Sequence, residues 1–224
     1  MGNLVSEIRA LLSKELILEW RQRYAINGLL LYVVSTVFVC YLSFNLAVGR
    51  LEVVTWNTLF WIIILFSAIN GISKSFMQER EERYLFYYTI ASPEAVILSK
   101  IIYNVLLMLA IGLIGFAFYA FVMGNPVQDM LLFLMNIMFG AIGFASTLTM
   151  ISGIAAKAKN SSTLMAVLGF PIIMPMILML IKISKNAIDG LQRSASYEEL
   201  ATIGGINLIV LALSYLLFPY LWRS

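Results

Sequence analysis

Histidine occurs nowhere in the 224 residues, and cysteine occurs once. The first absence removes the commonest metal ligand, the usual general base and the usual haem axial ligand together. The second removes any disulfide framework or paired-thiol metal site; Cys40, set among Val, Phe and Tyr, reads as a packed, inert thiol. Charge is scarce too, with Asp, Glu, Lys and Arg making up 12% of the chain. No G-x-x-x-x-G-K-[ST] phosphate loop is present. Its nearest approach, Gly71-Ile72-Ser73-Lys74-Ser75, lacks the spacing and falls at the end of an apolar run. A zinc-protease helix motif, a G-x-S-x-G elbow and a nucleophile set beside a base inside an apolar run are missing as well. No catalytic residue is expected, and neither ATP hydrolysis by this chain alone nor intramembrane hydrolysis.

What the chain has is apolar length. Hydrophobic residues make up 61% of it, which places it outside the soluble globular class and makes the lipid bilayer its solvent. Six uncharged runs reach the roughly 20 residues needed to cross the hydrocarbon core: Gly28–Val48, Val53–Ser73, Ile101–Met123, Met130–Ala156, Thr163–Ile181 and Leu200–Leu221. A charge at a helix centre costs about 2.5–3.5 kcal/mol and usually marks an ion path. Its absence from all six runs argues against an ion-driven carrier. The expected fold is therefore all-α, one transmembrane domain over residues 1–224.

Lys and Arg are unevenly shared between the two sides. Eleven fall on the side of the termini (Arg9, Lys14, Arg21, Arg23, Lys74, Arg80, Arg83, Lys100, Lys157, Lys159 and Arg223), against Arg50, Lys182, Lys185 and Arg193 on the other. The positive-inside bias puts both termini in the cytoplasm. The net charge of +3 reflects orientation, so no nucleic-acid partner is expected.

Residues 1–27 form an arm without the compact apolar region of a cleaved signal. Leu4, Ile8, Leu11, Leu12, Leu16 and Trp20 recur at helical spacing with Arg9, Ser13, Lys14 and Arg21 elsewhere around the helix, the pattern of an amphipathic helix lying in the interface. Residues 74–100 form the longest cytoplasmic loop. Its middle turns from charge, Glu79-Arg80-Glu81-Glu82-Arg83, to aromatics, Tyr84, Tyr87 and Tyr88. Two readings stand: a docking surface for a protein partner, or an aromatic belt at the membrane surface. Ser92-Pro93 ends that element and starts the next helix, with Glu94 favoured in its first turn.

Pro171 and Pro175 lie four apart in the fifth run, so they mark either a fixed kink or a moving hinge. Gly140, Gly143, Ala145, Ser146, Gly153, Ala155 and Ala156 let helices approach closely, for a tight bundle or a dimer seam. In the extracytoplasmic segment 183–199, Ile183, Ala187, Ile188 and Leu191 alternate with Lys185, Asp189 and Arg193. That mixture predicts a surface-lying or re-entrant stretch.

Six runs, an arm, a charged loop after the second run and an amphipathic segment before the sixth look like an ABC-2-type, type V exporter-like permease with an N-terminal elbow helix. Over nearly its full length the chain resembles the haem exporter B (CcmB) family. The likeness rests on Lys14-Glu15-Leu16-Ile17-Leu18-Glu19-Trp20-Arg21-Gln22-Arg23, on the segment Phe76 to Lys100, on the run Gly140 to Ala156 and on Pro171 with Pro175. The resemblance implies a non-catalytic subunit for cytochrome c maturation in the bacterial inner membrane. It implies a cytoplasmic ATPase partner (CcmA) that binds ATP, membrane partners CcmC and CcmD, and ATP-driven release of the haem-loaded periplasmic chaperone CcmE. Haem is then handled by the complex, with no cofactor assigned directly to this chain, and ABC architecture implies a homodimer. An exporter of a lipid, glycan or drug, and a membrane assembly protein without an ATPase, remain the alternatives.

Overall fold

The computed structural model describes residues 4–47, 51–72, 76, 91–156 and 161–223. Helix α1 (Leu4–Gln22) is the arm, and α2 (Tyr24–Ala47), α3 (Val53–Ile72), α4 (Pro93–Met123), α5 (Met130–Ala155) and α6 (Ser161–Ile188) follow. A 3-10 turn, Arg193–Ser196, then leads into α7 (Tyr197–Arg223). Helices α2 to α7 are each long and apolar enough to cross a membrane. All six sit where uncharged runs predict them, because a span cannot form without one.

Helix α5 is the hub, with α3, α4, α6 and α7 all packed on it. Its small residues make this possible. A Cβ at Gly140 would stand 2.9 Å from Trp61 Cζ3, one at Gly143 would press on Met176 Sδ and stand 2.7 Å from Asn207 Oδ1, and one at Gly153 would stand 3.0 Å from Phe218 Cε2. The glycines of this run are thus taken up by tight packing within the chain, which is how helices associate where water expulsion supplies no drive. Aromatic rings fill the far part of the core: Trp56 lies 4.8 Å from Tyr119 and Phe116 lies 4.7 Å from Phe133, centroid to centroid.

Buried polar groups tie the helices together. Trp61 Nε1 donates to Ser184 Oγ (2.8 Å), Ser184 Oγ donates to Asn57 Oδ1 (2.6 Å), and Asn57 Nδ2 donates to Ile181 O (2.8 Å). Asn136 Nδ2 donates to Leu180 O at 2.7 Å, Asn104 Nδ2 to Thr149 Oγ1 at 2.8 Å, and Asn207 Nδ2 to Phe139 O at 3.1 Å. None of these carries charge, in keeping with the cost of a charge at that depth. Cys40 is half-buried on α2.

The segment 183–199 differs in part from expectation. Helix α6 continues unbroken to Ile188, and Ile183, Ala187 and Ile188 are buried in the main core; only Leu191 is exposed. Their helical spacing continues the inner face of α6, so residues 183–188 are bundle, whereas residues 189–195 are exposed as a surface-lying stretch would be. The helix stops at Gly190, whose φ of 66° few other residues adopt readily, while Leu191 N–H returns to Asn186 O at 3.1 Å in a Schellman closure. Beyond it Asp129 caps α5 through Leu132 N–H (3.1 Å) and takes both arms of Arg193, at 2.6 and 3.0 Å. The Arg193 fork and Leu132 N–H together hold the Asp129 carboxyl below the usual carboxylate range.

Candidate functional site

The candidate docking residues Glu79, Arg80, Glu81, Glu82, Arg83, Tyr84, Tyr87 and Tyr88 lie outside the described residues. The structure does place what flanks them. On one flank, Phe76 is almost fully buried; its N–H bonds to Ser152 Oγ of α5 (3.2 Å) and its ring lies 5.3 Å from that of Phe218 on α7. Lys100 of α4 sets its ammonium 4.9 Å over the same ring and 3.8 Å from Glu15 of the arm. A buried lysine needs such compensation, a carboxylate on one side and a π face on the other.

On the other flank, Ser92 opens α4. Glu7 of the arm accepts from both Ser92 N–H (2.9 Å) and Ser92 Oγ (2.7 Å). These two bonds, the amide first, hold the Glu7 carboxyl below its ordinary value. The arm is further fixed by Glu19, which accepts from Ile26 N–H at the start of α2 (2.9 Å) and from Tyr103 OH on α4 (3.2 Å). A carboxylate at a helix N-terminus meets donors with no partner in the helix and the positive end of its dipole.

Glu7, Glu15 and Glu19 meet Ser92, Lys100 and Tyr103 in matching order, so α1 runs alongside the start of α4 in the same direction. Helix α4 has room for this. Its 31 residues extend about 46 Å, some 16 Å more than the hydrocarbon core requires. Glu15 and Glu19 stand in the motif that carries the family likeness, but a reading that followed the arm's cations and leucines assigned none of the three glutamates a role. Their spacings of eight and four along one side of the helix were the available signal.

Pro171 and Pro175 lie inside α6, which passes through both without dividing. Both face outward, on an exposed strip with Val167, Phe170, Met174 and Leu178. The opposite side of α6, with Met176, Leu180 and Ser184, is locked into the core.

Among the described residues, seven α-helices pack together and six are able to span a bilayer, which defines a multi-pass membrane protein of permease type. The chain matches the CcmB protein family over residues 6–221 and belongs to that family, the haem-exporter permease subunits of cytochrome c maturation. No curated protein sequence matches it significantly.

Proposed function

We propose that this chain is the mechanical membrane subunit of an ABC-type complex in the bacterial inner membrane, with both termini cytoplasmic. It couples ATP hydrolysis in a CcmA-type ATPase to release of the haem-loaded chaperone CcmE, alongside CcmC and CcmD. The observation that carries this reading is the anchoring of the residues on either side of 77–90. One flank is fastened to α4, α5 and α7 through Phe76, the other to the arm through Ser92 and Glu7. Flanks fastened this way would pass a partner's push on to the bundle. Haem is handled by the complex in this scheme, its iron ligated by something other than histidine from this chain, which has none.

The hinge reading of Pro171 and Pro175 belongs to the same proposal. Each proline leaves a carbonyl one turn earlier without its intrahelical donor, which softens α6 on its outward face. The test is affinity purification in mild detergent with residues 79–83 intact and then replaced by Gly and Ser. Recovery of an ATPase and the cytochrome-assembly proteins only with the intact stretch is the expected result. An ATPase without the assembly proteins would favour another exporter, and no ATPase would end the ABC reading. Pro171→Ala with Pro175→Ala is expected to lower chaperone release, and unchanged release and ATPase coupling would remove the hinge.

A further inference from the structure

Where α1 gives way to α2, the chain turns at Arg23, the one described non-glycine residue with positive φ, at 49°. Backbone held there by its surroundings is concentrated at ligand clamps and switches. At this turn α1, α2 and α4 line a half-open cavity of about 500 Å³, with apolar walls from Leu16, Leu106 and Ala110 and polar groups from Glu19, Arg23, Asn27 and Tyr103. That volume is in the range of small-molecule sites. The rim of the cavity is outward-facing: Trp20, which lines it, is 77% exposed. An exposed Trp beside an Arg, at the end of a span, marks the membrane interface, so the cavity opens where lipid headgroups lie.

Two of these polar groups, Glu19 and Arg23, carry opposite charges. The Arg23 guanidinium forms no ion pair among the described residues and rests 5.4 Å from the Trp20 ring centre; its five donors suit phosphate oxygens. Glu19 accepts one bond on each oxygen, from Ile26 N–H and Tyr103 OH, and a carboxylate with about four acceptor sites keeps two for a further donor. A cation and an anion lining one largely apolar cavity complement a phosphate, an ammonium N–H and an acyl chain. A purely anionic lipid would satisfy Arg23 and be repelled by Glu19. A quaternary ammonium would offer Glu19 no hydrogen bond.

We propose that this cavity binds one phosphatidylethanolamine-type lipid, its phosphate on Arg23 and its ammonium on Glu19. The test is native mass spectrometry of the detergent-purified chain titrated with phosphatidylethanolamine, phosphatidylglycerol and phosphatidylcholine of identical acyl chains. The ethanolamine lipid should be retained about fivefold or more over the others, with stepwise loss as its nitrogen is methylated, a series that needs no variant. R23N, in which Asn tolerates the left-handed backbone, should keep the thermal midpoint and lose the preference; E19Q should move it toward phosphatidylglycerol. Equal retention of the three lipids, or an unaltered preference in R23N, overturns the proposal. Displacement of the lipid by millimolar inorganic phosphate would make it a free-anion site and overturn the lipid assignment.

Discussion

Adding one methyl group at Gly140 tests whether α5 is packed as tightly as its glycines indicate. The new carbon would stand 2.9 Å from Cζ3 and 3.1 Å from Cη2 of Trp61, and 3.3 Å from Leu180 Cδ1, inside the ordinary 3.5–4.0 Å of carbon contacts. The indole is poorly placed to yield. It is 1% exposed, and its N–H begins the chain of buried bonds through Ser184 to Asn57. Overpacking of this kind costs about 1–3 kcal/mol, against up to about 1 kcal/mol recovered by replacing glycine within a helix. G140A is therefore expected to lose about 1–2 kcal/mol, measured as the unfolding midpoint in a fixed detergent. In a W61F background the two crowding atoms are gone, so the same methyl should cost nothing or partly refill the space. That predicts a coupling of about 1–2 kcal/mol between the sites. G28A, where no atom lies within 4 Å of the new carbon, is the control and should match or exceed the parent. If G140A is as stable as the parent, or costs the same with and without Trp61, the packing argument is wrong.

S184A strands two buried groups, Trp61 Nε1 and Asn57 Oδ1, and should lower stability by about 1–3 kcal/mol per group in the same unfolding assay. D129A should cost more than R193A: it removes the α5 cap, worth about 1 kcal/mol, as well as the Arg193 fork, half-exposed and worth about 0.2–1 kcal/mol. Glu7 titrates below its ordinary value of 4.5, so its hold on Ser92 is complete above that pH and is lost as pH falls through the lowered value. Hydrogen exchange at the Ser92 amide, corrected for intrinsic rate, should rise through that acid window in the parent. In E7Q it should be raised already at neutral pH and without the step.

How much of this was legible in the sequence depended on how local its cause was. Span positions are legible because apolar length alone decides them, as at Val53–Ile72 and Met130–Ala155. The stretch from Ile183 to Ile188 misled because Lys182 and Lys185 project outward from a helix whose other side is core. A charged residue every few positions reads as surface until the partner helices are known. The glycines of α5 announced close approach without naming the partners. Trp61, Met176, Asn207 and Phe218 come from α3, α6 and α7, and nothing in their spacing ties them to Gly140, Gly143 or Gly153. The arm is the opposite case: its amphipathic pattern was plain, while Glu7 and Glu19 act on residues 85 and 84 positions away, beyond any local rule.

Those long-range bonds give the two flanks of the 77–90 stretch unequal footing. Phe76 is joined to the hub helix through Ser152 and to α7 through Phe218, contacts that move only if the core moves. Ser92 is joined to Glu7, on a helix whose outer side is exposed, as Ile17 and Trp20 are. Interfaces of few buried contacts open at lower free energy than core. Under the proposed coupling role, a partner pressing on the stretch would part the Glu7–Ser92 contact first and shift α1, while the start of α4 stays with Phe76 in the cluster of Val96, Ile97, Ile101 and Phe218. The Arg23 turn would then take up the strain between arm and bundle. E7Q should uncouple ATPase stimulation from chaperone release while leaving the ATPase bound, because it cuts the flank that moves and spares the one that holds.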